Sequence, residues 1–293
     1  MRTGACVQAV GVLTGWGEGV TALPADARSA TAHPVIRLTR PVLEGERFRR
    51  ATRECLLGVA AVQQMLSEAG LEREAIAGPR TALLFVTAGA YGASNVEFIV
   101  GRAGTLHFPY TAPSALSAEV AIEFGLTGAY VILIGGAATT VDALWQAGRL
   151  LRDGRCDRAL VLAVETFDEC EDLWRRARWT IPAPLVEAAV CALLVPATGD
   201  APAAGSGTDA GLEAAVQTRA GSTLACGPLI ALALARQAGV EAASVSGTWR
   251  GRRATIDLTT SGQAGPELTT ARAGGPCNPK KCSTTSRRSS SRG

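Results

Sequence analysis

The sequence predicts an α/β domain built on a buried, mainly parallel sheet, and three features carry that prediction. Apolar segments of strand length alternate with stretches of helical period from the N-terminus to about Val195. Tyr130–Ile134 (YVILI) is a continuous apolar strand bounded by Gly128 and the Gly135–Gly136 pair. The chain's 293 residues, 47% hydrophobic and 19% charged, suffice for a full core as one large domain or two small ones.

The elements follow in order. Cys6–Leu13 reads as the first strand. Arg53–Ala69 is a helix with Leu56, Leu57, Ala60, Ala61, Met65 and Ala69 near helical period and Gly70 as its stop. Ala82–Val86 is the second strand, and Leu116–Phe124 a short helix ending at Gly125. The strand Tyr130–Ile134 runs through Gly135–Gly136 into a helix that Thr139 or Thr140 can cap. That helix buries Ala143, Leu144, Ala147, Leu150 and Leu151, stops at Gly154 and leads to the strand Ala159–Val164, which makes one right-handed crossover unit. Glu187–Val195 is a further strand candidate.

The character of the chain then changes. Pro196–Gly211 is a Gly/Ala/Pro/Asp-rich linker without periodicity. A shorter part, 212–262, holds one helix, Pro228–Gln237, and two strand candidates, Ala243–Thr248 and Ala254–Leu258. Residues 263–293 form a Ser/Arg/Gly-rich basic tail whose composition predicts disorder.

Composition removes several functions. Of 29 basic residues only Lys280 and Lys281 are lysines, so the body has no lysine for a Schiff base or a phosphate-binding P-loop. With His33 and His107 as the only histidines, a zinc site of several imidazoles is excluded, and no metal or other cofactor is expected. Arg272–Gly293 carries six basic residues and no acid; without it the body has 23 basic and 26 acidic residues and a charge of −3. Such a body is no trap for nucleic acid. No apolar run approaches the ~18 residues needed to span a bilayer, and no basic-then-apolar signal opens the chain. The eight cysteines lack zinc-ribbon or disulfide-scaffold spacing; Cys6 and Cys191 read as buried thiols, and a reducing cytoplasm is the expected compartment.

The order of elements and several motifs resemble the N-terminal half of β-ketoacyl synthases. Val7–Gly19 (VQAVGVLTGWGEG) is similar to that family's opening strand and turn, and Leu56–Leu71 (LLGVAAVQQMLSEAGL) to its first long helix. More specific are GLTG at Gly125–Gly128, the strand and helix that follow, and GRCDRALVLAVE at Gly154–Glu165, which resemble the segment around the family's nucleophile. The resemblance implies a thiolase-like layered fold, its N-terminal half (1–195) complete and its C-terminal half (212–262) abridged.

In the family a cysteine sits at the turn between this strand and helix, where the helix N-terminus favours a thiolate that takes the acyl chain. Here the turn reads Gly135-Gly136-Ala137-Ala138-Thr139, and the nucleophile's position falls on Ala137. Gln217–Pro228 (QTRAGSTLACGP) resembles the family's second catalytic stretch, with Gln217 at the lysine and Ser222 at the histidine. The segment between Val195 and Gln217 is too short to hold the other family histidine, and the family's C-terminal glycine-rich motif is unrecognisable around Ser246–Leu258. Loss of the nucleophile and both histidines leaves the family mechanism no chemical means. The resemblance therefore implies a non-catalytic relative, closest to the short chain-length factors of aryl polyene and related polyketide clusters. Such a relative pairs with an active synthase and bounds the acyl tunnel, for which Phe108, Tyr110, Ala137, Ala138 and Thr139 are the candidates.

Other residues have bland and sharp readings. His107 is a loop histidine or a base at a pocket mouth, and His33 reads as surface. Cys226, at a Gly-rich helix start, is a packing residue or an activated thiolate. Glu165, Asp168, Glu169, Glu171 and Asp172 offer carboxylates for a hard cation, but Arg175, Arg176 and Arg178 follow and pair with them. Those arginines are also candidates to touch an acidic acyl carrier protein or the phosphate of its pantetheine arm. The expectation is a heterodimer with an active β-ketoacyl synthase serving acyl-carrier-protein substrates. The alternatives are an acyltransferase or hydrolase of the same fold using Thr139 or Cys226, and a structural homodimer.

Overall fold

The computed structural model describes residues 2–101, 104–167, 184–197 and 209–260. In chain order the strands are β1 (Arg2–Thr14), β2 (Gly17–Glu18), β3 (Val35–Ile36), β4 (Thr81–Thr87), β5 (Tyr130–Ile134), β6 (Arg158–Glu165), β7 (Leu185–Val186), β8 (Ala188–Pro196), β9 (Ala242–Trp249) and β10 (Arg252–Thr260). The helices are α1 (Ala27–Ala30), α2 (Arg53–Ala69), α3 (Gly92–Ile99), α4 (Ser114–Phe124), α5 (Ala137–Arg152), α6 (Asp209–Arg219) and α7 (Gly227–Gln237), with a 3-10 helix over Thr105–Thr111.

The main sheet runs β5-β4-β6-β8-β1-β10-β9, with β2 as a short hairpin on β1, and β3 pairs with β7 apart from it. β4 lies parallel to both β5 and β6. The crossover from β5 through α5 to β6 therefore passes over β4. β8 is antiparallel to both β6 and β1, so β1 runs with β6, and β10 adds parallel to β1. The carboxyl ends of β1, β4, β5 and β6 thus share one edge, the place where open α/β sheets bind ligands.

Hydropathy decides which helix covers which face. Leu83, Phe85, Leu160 and Leu162 cluster with Leu57, Val62 and Met65 of α2 and Val120 and Phe124 of α4. Their neighbours in sequence, Leu84, Val86, Val161 and Ala163, cluster with Val141, Leu144, Ala147 and Leu151 of α5 and Leu229–Leu234 of α7. Both faces are dry, which is why these strands read as unbroken apolar runs. β1 approaches α2 so closely that a Cβ at Gly11 would lie 2.3 Å from the Met65 nitrogen. On the opposite face α5 packs against β9 and β10 as well as the central strands, so the sheet curls around that helix. Met1–Gly262 forms one compact unit.

The structure departs from the sequence reading at three places. Neither Thr139 nor Thr140 caps α5: the helix begins at Ala137 after Gly136, without a side-chain cap. Thr140 is buried and its hydroxyl donates 2.6 Å to the Ala225 carbonyl, a tertiary bond that outcompetes capping. The part beyond position 208 holds two helices, because α6 supplies one that its weak apolar face concealed, and its two strands form one hairpin. Cys6 is only half-buried, near the start of β1. The tail at 263–293 and most of the linker, 198–208, lie outside the described residues.

One buried charge fastens the ligand edge. Glu187, fully buried, accepts from the Leu38 N–H (2.8 Å), the Phe167 N–H (2.8 Å) and both arms of the Arg53 guanidinium. Arg53 is the first residue of α2, and it also donates to the Leu38 carbonyl. Removing the cation strands a buried carboxylate, which costs about 3–5 kcal/mol for a fully buried pair. Arg53 retains 22% side-chain exposure, so Arg53→Met is expected to destabilise the protein toward the low end of that range. Glu187→Gln should cost less than Arg53→Met; urea unfolding of the two variants checks the order.

Candidate functional site

The carboxyl edge places the sequence-predicted turn where a ligand site belongs. β5 ends at Ile134, Gly135 and Gly136 make the turn, and Ala137 is the first residue of α5. Two glycines are needed for steric reasons. A Cβ on Gly135 would lie 2.1 Å from Thr139 Oγ1, and one on Gly136 would lie 2.3 Å from the Trp249 ring. The β9–β10 hairpin closes on the same turn from the other side, since a Cβ on Gly247 would lie 2.5 Å from the Ala137 carbonyl. Ala137 and Thr139 are half-buried and Ala138 is buried.

Behind the turn lies a carboxyl that the sequence placed in an acidic surface run. Glu165 ends β6 fully buried. It accepts from the N–H groups of Ala88 (2.5 Å) and Gly89 (3.2 Å), from Thr87 Oγ1 (3.4 Å) and from the Ala225 N–H. Burial pushes its pKa up to about 8 against the pull of those donors. The remaining members of the run, Asp168, Glu169, Glu171 and Asp172, lie outside the described residues, as do Arg175, Arg176 and Arg178. Among the described residues no cluster of His, Cys, Asp and Glu is arranged to hold a metal ion.

Cys226 is equally buried and donates 3.5 Å to the Ala188 carbonyl. Burial, and then the Glu165 carboxyl, hold its thiol protonated well above the ordinary range. The bland reading of Cys226 as a packing residue fits this environment, and a thiolate does not. Gln217 is exposed on α6, whereas Ser222 is half-buried with its backbone tied to Pro184 and Val186. The two positions that resemble the family's lysine and histidine therefore present no joint acid-base pair to the turn.

The other tunnel candidates belong to the opposite layer. Tyr110 packs with the α2/α4 cluster and its hydroxyl donates to Glu119 at 3.4 Å. Phe108 is 62% exposed and meets Phe98 ring to ring at a tilt of 57°, with centroids 5.6 Å apart. His107 lies against the Tyr110 ring and His33 is exposed. A groove of about 710 Å³, bounded by Thr14, Arg40, Gln63 and Gln64 among others, opens beside α2; no motif in the sequence signalled it.

Two comparisons bear on this geometry. Residues 39–175 match the model of the β-ketoacyl synthase N-terminal domain. Together with the layered architecture, that match identifies a ketosynthase-like, thiolase-like fold. Among solved structures, the ishigamide ketosynthase/chain length factor aligns with a TM-score of 0.62 at 14% identity, covering 86% of this chain and 98% of that one. A type II polyketide acyl-carrier protein in complex with its ketosynthase bound to the hexaketide gives a TM-score of 0.53 at 17% identity over 67% of this chain and 63% of that one. A β-ketoacyl synthase from Burkholderia phymatum STM815 gives 0.52 at 14% identity over 73% and 69%. None of the curated proteins matches the sequence. At these identities the likeness is one of fold.

Glu165 makes the stability of this edge depend on pH. Its carboxyl holds a proton in the folded state up to about pH 8, whereas the unfolded chain releases it near the ordinary value of 4.5. The folded state therefore binds the extra proton between those limits, and its stability falls as pH rises through them, by at most about 1.4 kcal/mol per pH unit. Glu165→Gln is expected to flatten this dependence between pH 5 and pH 8, read by urea midpoints across the range.

Proposed function

We propose that this chain is a non-catalytic, chain-length-factor-like partner of an active β-ketoacyl synthase, bounding the acyl tunnel of a heterodimer. The observation that carries the reading is Ala137 as first residue of α5: the helix N-terminus is aimed at a methyl group, which no acyl chain can bond. The synthase performs the condensation on acyl-carrier-protein substrates in cytoplasmic fatty-acid or polyketide synthesis, aryl polyenes included. Arg175, Arg176 and Arg178 are assigned to the carrier protein on charge alone.

The partner face is proposed at the β5 edge of the sheet. β5 pairs only with β4 among the described strands, and Tyr130 and Ile134 at its two ends are 61% and 51% exposed. Val96, Phe98, Ile99 and Val100 of the α3 segment, with Phe108 against the Phe98 ring, add exposed apolar side chains. An open edge strand and a set of exposed apolar groups are what association removes from water. A ketosynthase suits this face because its own sheet, of the same fold, offers a matching edge. In the tunnel so formed Phe108 and Tyr110 supply one wall, and Ala137, Ala138 and Thr139 mark the closed turn.

Co-expression with the ketosynthase encoded nearest to this chain tests the reading, by size-exclusion chromatography and malonyl-carrier condensation. A one-to-one complex, with condensation requiring both chains, is expected. Folded chain that elutes alone and leaves the synthase unaffected overturns the proposal, as does an acyl group trapped on Thr139 by mass spectrometry. The double change Tyr130→Glu, Ile134→Arg should weaken the complex about tenfold or more while leaving the melting temperature of the isolated chain nearly unchanged.

A further inference from the structure

The β9–β10 hairpin is built in a way its role as a sheet strand does not require. Its two-residue turn is Arg250-Gly251, with φ of 49° and 79°. Both values are positive, the type I′ geometry whose twist suits a tight hairpin and whose first position favours Asn, Asp or Gly. An arginine there is strained, and strain of this kind persists where surrounding contacts over-determine it. Arg250 places its guanidinium 5.5 Å from the centre of the Trp249 ring, within reach of a cation–π contact.

The same ring rests on the turn that resembles the family's nucleophile site. A Cβ on Gly136 would meet three atoms of the Trp249 indole at 2.3–3.0 Å, so the ring and the Gly136 backbone are in direct contact. Two further contacts fix the hairpin to α5. Gly247 lies against the Ala137 carbonyl, and Arg252 forms a paired bond to Asp142 with both N···O distances 2.6 Å. Ring, backbone and salt bridge together set the hairpin down over the first two turns of α5.

We infer that Trp249, seated on Gly136 and gripped by Arg250, seals the turn between β5 and α5 against an acyl chain or a thiol-sized reagent. This chain then contributes a closed wall, and its own helix N-terminus takes no part in holding substrate. The inference rests on the partner reading for its biological sense, but the seal is a property of the isolated chain and is tested on it.

The test places a thiol beside the seal, at the half-buried position 137 next to Gly136. In the full chain, Ala137→Cys is treated with iodoacetamide, and alkylation at position 137 is followed by peptide mass spectrometry, which separates it from the native cysteines. Adding Trp249→Ala is expected to speed alkylation by about tenfold or more, because a thiol reacts only when the reagent reaches it. Equal rates with and without Trp249 overturn the inference. Should Trp249→Ala lose its cooperative melt, Arg250→Gly serves instead. It relieves the positive φ, keeps the ring and removes the grip, so it should raise the rate while preserving the melting temperature; an unchanged rate in that variant also overturns the seal. Failure of the partner reading shows separately, as an absent complex with the synthase.

Discussion

A carboxylate that leaves water must be met by donors, and Glu187 is where this fold meets that requirement most completely. Its four hydrogen bonds come from the loop at Leu38, the second residue after β6 and the start of α2, segments far apart in sequence. Each also has backbone work nearby: the Glu187 N–H donates to Ile36 and its carbonyl accepts from Gly15. A hydrophobic contact in this position would tolerate sliding, whereas a buried charge does not. The orientation of α2 over one face of the sheet, and the meeting of β1, β6 and β8 at one edge, are therefore set by a single side chain as much as by the core.

That edge also carries the turn that opens α5. The turn after β5 retains the geometry needed to present a residue at a helix N-terminus, with two glycines allowing the approach of Thr139 and Trp249. What it presents is a methyl group. Nearby ionisable groups are buried and held neutral: Glu165 keeps its proton to about pH 8 and the Cys226 thiol far above its ordinary range. The interior behind the turn has the character of packing, with polar atoms satisfied by backbone groups, and not of a site poised to exchange protons with a substrate.

Much of this architecture was legible in the sequence because the signals were local. Gly70 and Gly125 ended α2 and α4 where left-handed caps were expected, and YVILI matched β5 to the residue. The failures were tertiary. Thr140 looked like a cap and instead satisfies the Ala225 carbonyl 85 positions away. Glu165 looked like one member of a solvated acidic run because its burial depends on strands β4 and β8 lying beside it. Trp249 carried no signal at all, since nothing in the order of residues shows that a hairpin near position 250 folds back onto Gly136. The arginines at 175, 176 and 178 fall outside the described residues.

The pairing of β10 with β1 joins Arg2 to Asp257 and Val7 to Thr260. During synthesis β1 emerges before either neighbour, and β8, its partner on the other side, follows some 180 residues later. The edge that β10 covers stays open until nearly all of the described chain has left the ribosome. For that interval the nascent protein carries a long, apolar, unpaired strand, the species most prone to pair with the wrong neighbour. With β1 flanked by β8 and β10, both from far along the described chain, the sheet is completed by non-local pairing, the kind that forms slowly.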